Sequence, residues 1–412
     1  MNRPQRISRE SKSPSPPSTG CILVDPGSTI LRLLAAEVED AHAIILGWAE
    51  QPVPAPTTPG GSVPGLLALC QEALANAEEM ARKLNVYWLP PDQMIVGLPA
   101  SQLRGRAWSV TQRRSQPSRP IEERELRALL ERTLRLAINR LRSEVADEAG
   151  WSLVDAVLVA LSVDGHGVTD PVGFRGQEFG ATVFAALARV EAIQAWGAIA
   201  QQLDFSTLTV TGTPLALAGG LSASQGLLVD VGGMCTDLIW SRAGRPVALH
   251  SLPIGGATLT SSLMETWRLS PERAEQLKLA YSAGRLSEEA MVQVRAALVP
   301  ALRAWRDEVE AALILLNQEE PLPSRLVLLG GGSVLPGMAE SLRTLAWSER
   351  LSFARYPQIN QLRPTDLGGV INRTDRGRKL GDVSALALAA WMVQQNRRSD
   401  RPFRILRELC WD

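Results

Sequence analysis

The chain has few of the side chains that build disulfide or metal sites. Its 412 residues include four cysteines and three histidines. The cysteines, at positions 21, 70, 235 and 410, show no C-x-x-C spacing, and each histidine is isolated. This scarcity argues against a disulfide framework and against a zinc centre, and it fits a reducing cytosol.

The chain also lacks an excess of charge of either sign and lacks long apolar runs. Lys+Arg and Asp+Glu are both 43, so a nucleic-acid partner is not expected. No apolar run reaches the roughly 18 residues that a membrane-spanning helix needs. Residues 1–20 are basic and rich in Ser and Pro but have no apolar stretch, which predicts a disordered tail rather than a signal peptide.

The remaining sequence predicts an α/β fold of two or three domains, because short apolar runs alternate with amphipathic helical patterns. We predict strands near 21–25, 30–38, 42–48, 93–98, 154–163, 178–188, 206–211 and 326–329. We predict helices near 66–84, 121–142, 189–203, within 255–317, and near 336–346, 382–395 and 402–411, with a loop over 357–381.

One short pattern occurs twice. Residues 22–34 read ILVDPGSTILRLL and residues 227–239 read LLVDVGGMCTDLI. Each copy predicts a strand, a tight turn and a second strand, and each turn carries one aspartate beside small residues. Small residues let backbone N–H groups approach an anion, and a carboxylate can hold Mg²⁺ through water. Two such hairpins facing each other predict a clamp for a phosphate chain and its metal.

Two further segments fit the same site. The run 330–333 (GGGS) ends a buried strand, just before a predicted helix. Glycine there lets a ligand lie against the backbone near a helix N-terminus. Glu275 and Lys278 are three residues apart, so they share one face of a predicted helix and are candidates to clasp a ribose or adenine edge. Each of these signals is weak alone, and it is their order in the chain that supports a nucleotide-binding site.

That order resembles the actin-like ATPase superfamily. The segments are DPGST, VDVGGMCTD, LPIGGATLT followed by AEQLK, and VLLGGGSVLPGM. Within the superfamily the chain looks most like FtsA, because VDGHGVTDPVGFRGQEFG at 163–180 is similar to a stretch of a small FtsA subdomain. The resemblance covers roughly residues 21–395. It implies a two-lobed actin-like ATPase fold, α/β in class, with a small α+β subdomain inserted in the first lobe.

The resemblance also implies domain bounds and ligands. The first lobe would comprise 21–99 and 189–225, the inserted subdomain 100–188, the second lobe 226–395, and a linker with a C-terminal amphipathic helix 396–412. ATP and Mg²⁺ would bind between the lobes, with Asp25 and Asp230 on the metal side. The implied nucleotide-binding residues are Asp25, Gly27, Ser28, Thr29, Asp230, Gly232, Gly233, Gly255, Gly256, Glu275, Lys278, Gly330, Gly331, Gly332 and Ser333.

The partners implied by the resemblance are those of a cell-division adaptor. FtsA proteins bind the C-terminal tail of the tubulin-like protein FtsZ through the second lobe and meet other division proteins. They also form filaments through the inserted subdomain and tether FtsZ to the cytoplasmic face of the membrane at the division site. We therefore expect a peripheral membrane protein whose partners are FtsZ, other copies of the chain and an anionic lipid surface.

The phosphate motifs depart from the family pattern. Pro26 and Ile30 stand where an apolar residue and a lysine are usual, and Met234 and Cys235 replace Gly and Thr. The acidic residue of a short Glu-Pro element is replaced at Thr213-Pro214. A missing cation weakens phosphate neutralisation, and a Cβ at Met234 crowds the backbone. We therefore expect at most slow turnover of ATP.

The C-terminal segment FRILRELCW predicts an amphipathic helix. Its apolar side includes the candidate membrane residues Phe403, Ile405, Leu406, Leu409 and Trp411. Arg397, Arg398 and Arg401 lie just before or at its start, where anionic lipid would attract them. The alternative is a helix that docks on the second lobe.

Three other functions remain open at the level of sequence. A pilus-assembly adaptor of the PilM type would share the fold and bind a peptide of a membrane protein, but such chains lack the 163–176 element. A sugar or acetate kinase would need a catalytic base and a substrate pocket, for which the sequence offers no candidate. A degenerate actin-like protein would keep the shape and lose the nucleotide.

Overall fold

Two mixed β-sheets organise the chain, as the alternating pattern predicts. The computed structural model describes residues 20–54, 65–144, 150–220, 226–317, 320–344, 350–397 and 399–411. The first sheet has six strands in the order β15-β3-β2-β1-β4-β9. Its strands are β1 (Gly20–Pro26), β2 (Ile30–Glu39), β3 (His42–Pro52), β4 (Gln93–Leu98), β9 (Thr207–Gly212) and β15 (Val370–Asn372).

The second sheet has nine strands in the order β14-β13-β10-β11-β12-β5-β8-β6-β7. Strands of the second half of the chain are β10 (Gly226–Val231), β11 (Thr236–Arg242), β12 (Arg245–Leu252), β13 (Arg325–Leu329) and β14 (Gln358–Gln361). The others are β5 (Leu103–Arg113), β6 (Trp151–Val163), β7 (His166–Val168) and β8 (Glu178–Arg189). The two halves of this sheet join where Ala248 of β12 pairs with Arg106 of β5.

Ten described helices cover or connect the sheets. They are α1 (Leu66–Leu84), α2 (Glu123–Ser143), α3 (Val190–Gln202), α4 (Thr213–Gly220), α5 (Gly256–Trp267), α6 (Pro271–Ser282), α7 (Glu288–Leu316), α8 (Met338–Arg343), α9 (Val383–Arg397) and α10 (Arg401–Trp411). Within the described residues, no helix is long and apolar enough to span a bilayer.

Helices α4 and α9 form the core between the two sheets. Both are apolar nearly all round, which is the pattern of a helix buried on every side. They share one hydrophobic cluster with Leu23 of the first sheet and with Leu228 and Val327 of the second. This shared core holds the two lobes to each other on the side where their hairpins meet.

Most predicted elements are confirmed, but the predicted loop over 357–381 is wrong. It contributes β14 and β15, which are the edge strands of the two sheets. These strands have only four and three residues, too few to show a period of two. Strand β5 was not predicted at all, because Arg104, Gly105 and Arg106 interrupt its apolar pattern. The tail predicted over residues 1–20 lies almost entirely outside the described residues.

The segment that carries the FtsA resemblance is a structural clamp in the inserted subdomain. Arg114 at the end of β5 is almost fully buried, and its guanidinium forms a two-point pair with Glu125 of α2 at 3.1 and 3.0 Å. It also donates to the carbonyl oxygens of Arg119, Pro120 and Gly176. In the same segment Asp164, at φ 48°, accepts the N–H groups of Gln177 and Glu178. The motif therefore closes loops around one buried cation.

Replacing Arg114 with alanine is expected to destabilise the inserted subdomain by about 3 kcal/mol, because three partly buried carbonyl groups and Glu125 lose their partner. Arg113→Ala is the matched control, since Arg113 is exposed at the neighbouring position, and its effect should stay within about 0.5 kcal/mol. Urea unfolding of both variants measures the difference. Equal unfolding midpoints would show that the clamp contributes nothing.

Candidate functional site

The two Asp-x-Gly hairpins face each other across the cleft between the lobes. In the first, Asp25 of β1 lies opposite Arg32 of β2; in the second, Asp230 of β10 lies opposite Asp237 of β11. The turns touch, because the backbone N–H of Met234 donates to the hydroxyl of Ser28 at 3.1 Å. A Cβ on Gly233 would lie 2.4 Å from Thr29. The structure therefore brings together the two turns that the repeated pattern predicted.

Three carboxylates of this cleft have raised pKa values. Burial, reinforced by the charges of Asp237 and Asp25, raises the pKa of Asp230 to about 7. Burial raises the pKa of Asp25 to about 6 against the opposing charge of Arg32, and it raises the pKa of Asp237 to about 6. Buried acids that repel each other favour a proton or a cation between them. This donor set fits a hydrated Mg²⁺ that completes its shell with water and phosphate.

No three acidic, histidine or cysteine side chains of the described residues are grouped closely enough to hold a metal by themselves. The site therefore does not resemble a structural metal centre, which has four protein ligands. The assignment of Asp25 and Asp230 to the metal side of the cleft stays a prediction.

Arg32 is a cation of the cleft that the motif comparison overlooked. It is almost fully buried, and its guanidinium lies 3.7 Å from Asp25, 3.4 Å from Glu50 and 3.2 Å from Asp382. Ile30 does stand where the family has lysine, but a positive charge is present two residues further on. The signal was a single charged residue in the middle of the apolar strand ILRLLAA. Three carboxylates already engage it.

Asp237 is the second residue that was overlooked, although it closes the quoted motif VDVGGMCTD. Its carboxylate accepts a hydrogen bond from Ser251 at 2.5 Å and from the backbone N–H of Ala100 at 3.3 Å. Ala100 follows β4 of the first lobe, so this contact joins the lobes. Within the second lobe, the hydroxyl of Ser384 of α9 donates to Asp230 at 3.4 Å.

The glycine run at 330–333 forms a tight turn against Asp230. Gly330 has φ 85°, and a Cβ there would lie 2.2 Å from the carboxylate of Asp230. Nothing lies within 4 Å of the corresponding point on Gly331, so this glycine faces open space. The buried hydroxyl of Ser333 donates to the carbonyl of Gly330 at 2.7 Å. Gly330 and Ser333 therefore shape the turn, and Gly331 is the one open to a ligand.

Glu275 and Lys278 lie on one face of α6, as predicted, but Lys278 is occupied. It is buried and donates to the carbonyl of Gly256 at 3.0 Å, to Thr260 at 2.9 Å and to Glu275 at 2.7 Å. An ammonium group has three protons, so these acceptors use them all. Lys278 is thus a positioning residue in this structure, whereas the carboxylate of Glu275 is partly exposed.

The turn at Gly255 and Gly256 supports the second hairpin from behind. The backbone N–H of Gly256 donates to the carbonyl of Gly232 at 2.9 Å, and that of Ala257 donates to Gly233 at 2.7 Å. A Cβ on Gly255 would lie 2.7 Å from the Gly232 carbonyl. These N–H groups hold the protein's own backbone, so this turn positions the hairpin.

The C-terminal helix α10 does not present its apolar face to solvent. Phe403, Ile405 and Leu406 are buried, Leu409 is partly buried, and Ile405 and Leu406 belong to the core of the inserted subdomain. The side chain of Trp411 lies outside the described residues. The docking alternative named the second lobe, and that surface is wrong, because α10 packs on α2 and β6. The membrane-binding role stays a prediction. An amphipathic pattern predicts an apolar contact but does not identify the surface that makes it.

Comparisons with known proteins agree with this architecture. The family model for the cell division protein FtsA matches residues 227–364, roughly a third of the chain, within the predicted second lobe. A solved PilM–PilN type IV pilus biogenesis complex is similar over 90% of this chain and 98% of that chain, with 18% identity and a TM-score of 0.64. The fold is therefore the actin-like ATPase fold, and residues 227–364 match the FtsA family model.

Two other solved structures resemble the protein at lower identity. The ethanolamine utilization protein EutJ from Carboxydothermus hydrogenoformans is 15% identical, with 92% of each chain covered and a TM-score of 0.50. MreB 5 of Spiroplasma citri, bound to AMPPNP, is 11% identical over 92% of this chain and 98% of its own, with a TM-score of 0.43. No curated protein sequence matches the chain.

The raised carboxylate pKa values predict how the stability of the ligand-free protein depends on pH. An acid with a higher pKa in the folded state stabilises the fold below its unfolded pKa, near 4, and loses that contribution as pH rises through its folded pKa. For Asp230 the loss begins above about pH 4 and is nearly complete by pH 8, and the part of it that falls between pH 6 and 8 amounts to about 1 kcal/mol. Thermal unfolding at both pH values should show it. Asp230→Asn should flatten this dependence, while the exposed Asp307→Asn should leave it unchanged.

Adjacent glycines give a second test of the site. Gly330→Ala should destabilise the protein by about 3 kcal/mol, because the new Cβ meets Asp230 and the backbone φ is positive. Gly331→Ala should change stability by less than about 0.5 kcal/mol, since its Cβ enters open space. Urea unfolding compares the two variants, and similar losses would contradict the described turn.

Proposed function

We propose that the protein is an actin-like adaptor of cell division. In this proposal it binds ATP and Mg²⁺ between its lobes, forms filaments and tethers FtsZ to the cytoplasmic face of the membrane at the division site. The observation that carries the proposal is the match of residues 227–364 to the FtsA family model. That region contains the second Asp-x-Gly hairpin and the Gly330 turn, which together form one wall of the cleft.

The chemistry of the cleft supports a nucleotide with a divalent cation. Asp25 and Asp230 face one cleft, and burial raises the pKa of both carboxyl groups, which supports the binding of a cation beside them. The N–H of Met234 is the donor of the second turn that already bonds an oxygen across the cleft, that of Ser28. Phosphate oxygens are stronger acceptors than a hydroxyl, so a phosphate chain is a fitting replacement at this point. Bound Mg²⁺ would neutralise phosphate charge.

The residues around the cleft favour a switch over a fast enzyme. At the position where an acidic residue could orient water, Thr213 is buried, and its hydroxyl donates to the carbonyl of Gly97 at 2.9 Å. Ligand binding would instead act on the contacts that join the lobes, at Ser28 and Asp237. A change in these contacts would change the relative position of the lobes and thereby a polymer surface.

A PilM-type adaptor is the second candidate. The PilM–PilN structure covers 90% of this chain, although its likeness at 18% identity concerns the fold. The 163–180 segment, which argued against this candidate, lies outside the region that the FtsA model matches. Both candidates are adaptors that bind another protein, so they differ in partner.

Calorimetry with ATP and Mg²⁺ tests the nucleotide part of the proposal. The wild type should bind, and Asp230→Asn should bind at least about tenfold more weakly, a loss of about 1.4 kcal/mol, because the metal loses a charged ligand. Asp307→Asn is the control with the same change on an exposed helix. Absence of binding by the wild type would support a degenerate actin-like protein.

Co-sedimentation with FtsZ filaments tests the partner. The protein should pellet with polymerised FtsZ and should stay in solution with FtsZ that lacks its C-terminal tail. Failure to pellet with intact FtsZ would refute the division adaptor and leave the pilus-type adaptor as the better candidate.

A further inference from the structure

Helix α10 makes a compact contact with the inserted subdomain. Ile405 and Leu406 are each 1% exposed and pack in the core of α2 and the subdomain sheet. Asp400 caps the helix, because its carboxylate accepts the N–H of Phe403 at 3.0 Å. Only residues 398–400 separate α10 from α9. The helix is thus a distinct short element on a short linker.

The rim of this contact consists of ion pairs. Arg401 lies 3.4 Å from Glu123 and 3.5 Å from Asp170, and Arg404 lies 3.7 Å from Glu123. At the other end Glu408 of the helix pairs with Arg127 of α2. All these side chains are between about a third and three-fifths exposed, so each pair contributes only about 0–1 kcal/mol.

The packing beneath the helix is incomplete. A cavity of about 300 Å³ lies under α10, and its walls include Phe403, Leu406 and Cys410 of the helix, Asp155 of β6 and Trp391 of α9. The side chains that line this open pocket do not pack on protein on that side, so the docked helix buries less apolar surface than a fully packed one. Weak ion pairs and this pocket together indicate a contact that can open.

The docked contact uses the groups that an anionic membrane would need. A lipid surface would take up the apolar face, of which Phe403, Ile405 and Leu406 are now buried, and would attract the arginines at the helix start. Glu123 and Asp170 hold Arg401 instead. One apolar face cannot pack on protein and lipid at once, so the two states exclude each other.

We propose that α10 is a switch helix, for which the acidic rim of the inserted subdomain and an anionic membrane surface compete. This inference rests on the proposed membrane tether and adds a mechanism that regulates when the tether can bind lipid. In the docked state the tether is unavailable; release of α10 frees the membrane-binding face and opens the cavity beneath it. The inserted subdomain thereby decides whether the protein can bind lipid.

The thiol of Cys410 reports docking without any lipid. Burial raises its pKa to about 12, and only the thiolate reacts with iodoacetamide. Glu123→Lys replaces two attractions by repulsion of Arg401 and Arg404. Alkylation of Cys410, followed by peptide mass spectrometry at one pH, should become at least tenfold faster in this variant. Glu131→Lys is the matched control, because Glu131 lies on α2 but pairs with Arg135 of the same helix.

Flotation with phosphatidylglycerol vesicles measures whether release of α10 increases binding to an anionic membrane. Glu123→Lys should float more than both the wild type and Glu131→Lys, which carries the same added charge, and none should float with phosphatidylcholine alone. Asp170→Asn is a milder second variant, which should also raise the alkylation rate of Cys410 and the fraction of protein that floats. Circular dichroism checks that all variants are folded.

The outcomes separate this inference from the proposed function. Unchanged alkylation in Glu123→Lys and Asp170→Asn would overturn the competition, even if the wild type floats and the tether stands. Faster alkylation without flotation of any variant would show a detachable helix that does not bind lipid, and would overturn both the switch and the tether. Equal flotation of Glu123→Lys and Glu131→Lys would mean that added charge alone explains the binding.

Discussion

The constraint on which the site depends is the meeting of buried carboxylates in one cleft. Asp25, Asp230 and Asp237 all have raised pKa values because burial penalises their charges. Arg32 offsets part of this cost but is shared with Glu50 and Asp382. The cleft is therefore poised to accept a proton or a cation, and the lobes that carry these acids are joined through the same residues.

Much of the surrounding structure holds the two hairpins in place. Lys278 and Thr260 support the turn at Gly256, which in turn supports the carbonyls of the second hairpin. Gly330 lets a turn pass within contact distance of Asp230. Several residues that were predicted to bind the ligand thus also hold the hairpins in position. The residue types do not distinguish a contact with the ligand from a contact that positions the hairpin, since both roles use glycines and buried charged side chains.

The inserted subdomain connects the separate parts of the molecule. Although its sequence interrupts the first lobe, its strands extend the sheet of the second lobe through β5 and β12. Its motif at 163–180 closes around Arg114, and its Asp170 reaches Arg401 of the C-terminal helix. A motif that appears diagnostic of function is thus first a structural unit, and it places an acidic rim where the helix docks.

Local patterns were enough to predict most strands and helices, both hairpins and the pairing of Glu275 with Lys278, because each depends on neighbours in sequence. They were not enough for Arg32 and Asp237, whose importance comes from partners brought together by folding. Strands β14 and β15 were missed because pairing with a sheet, and not their own composition, makes them strands. The helical pattern of residues 401–411 established that one face must be covered. Which surface covers it is a property of the folded chain, since burial of an apolar face is non-directional until a complementary surface and charges are present.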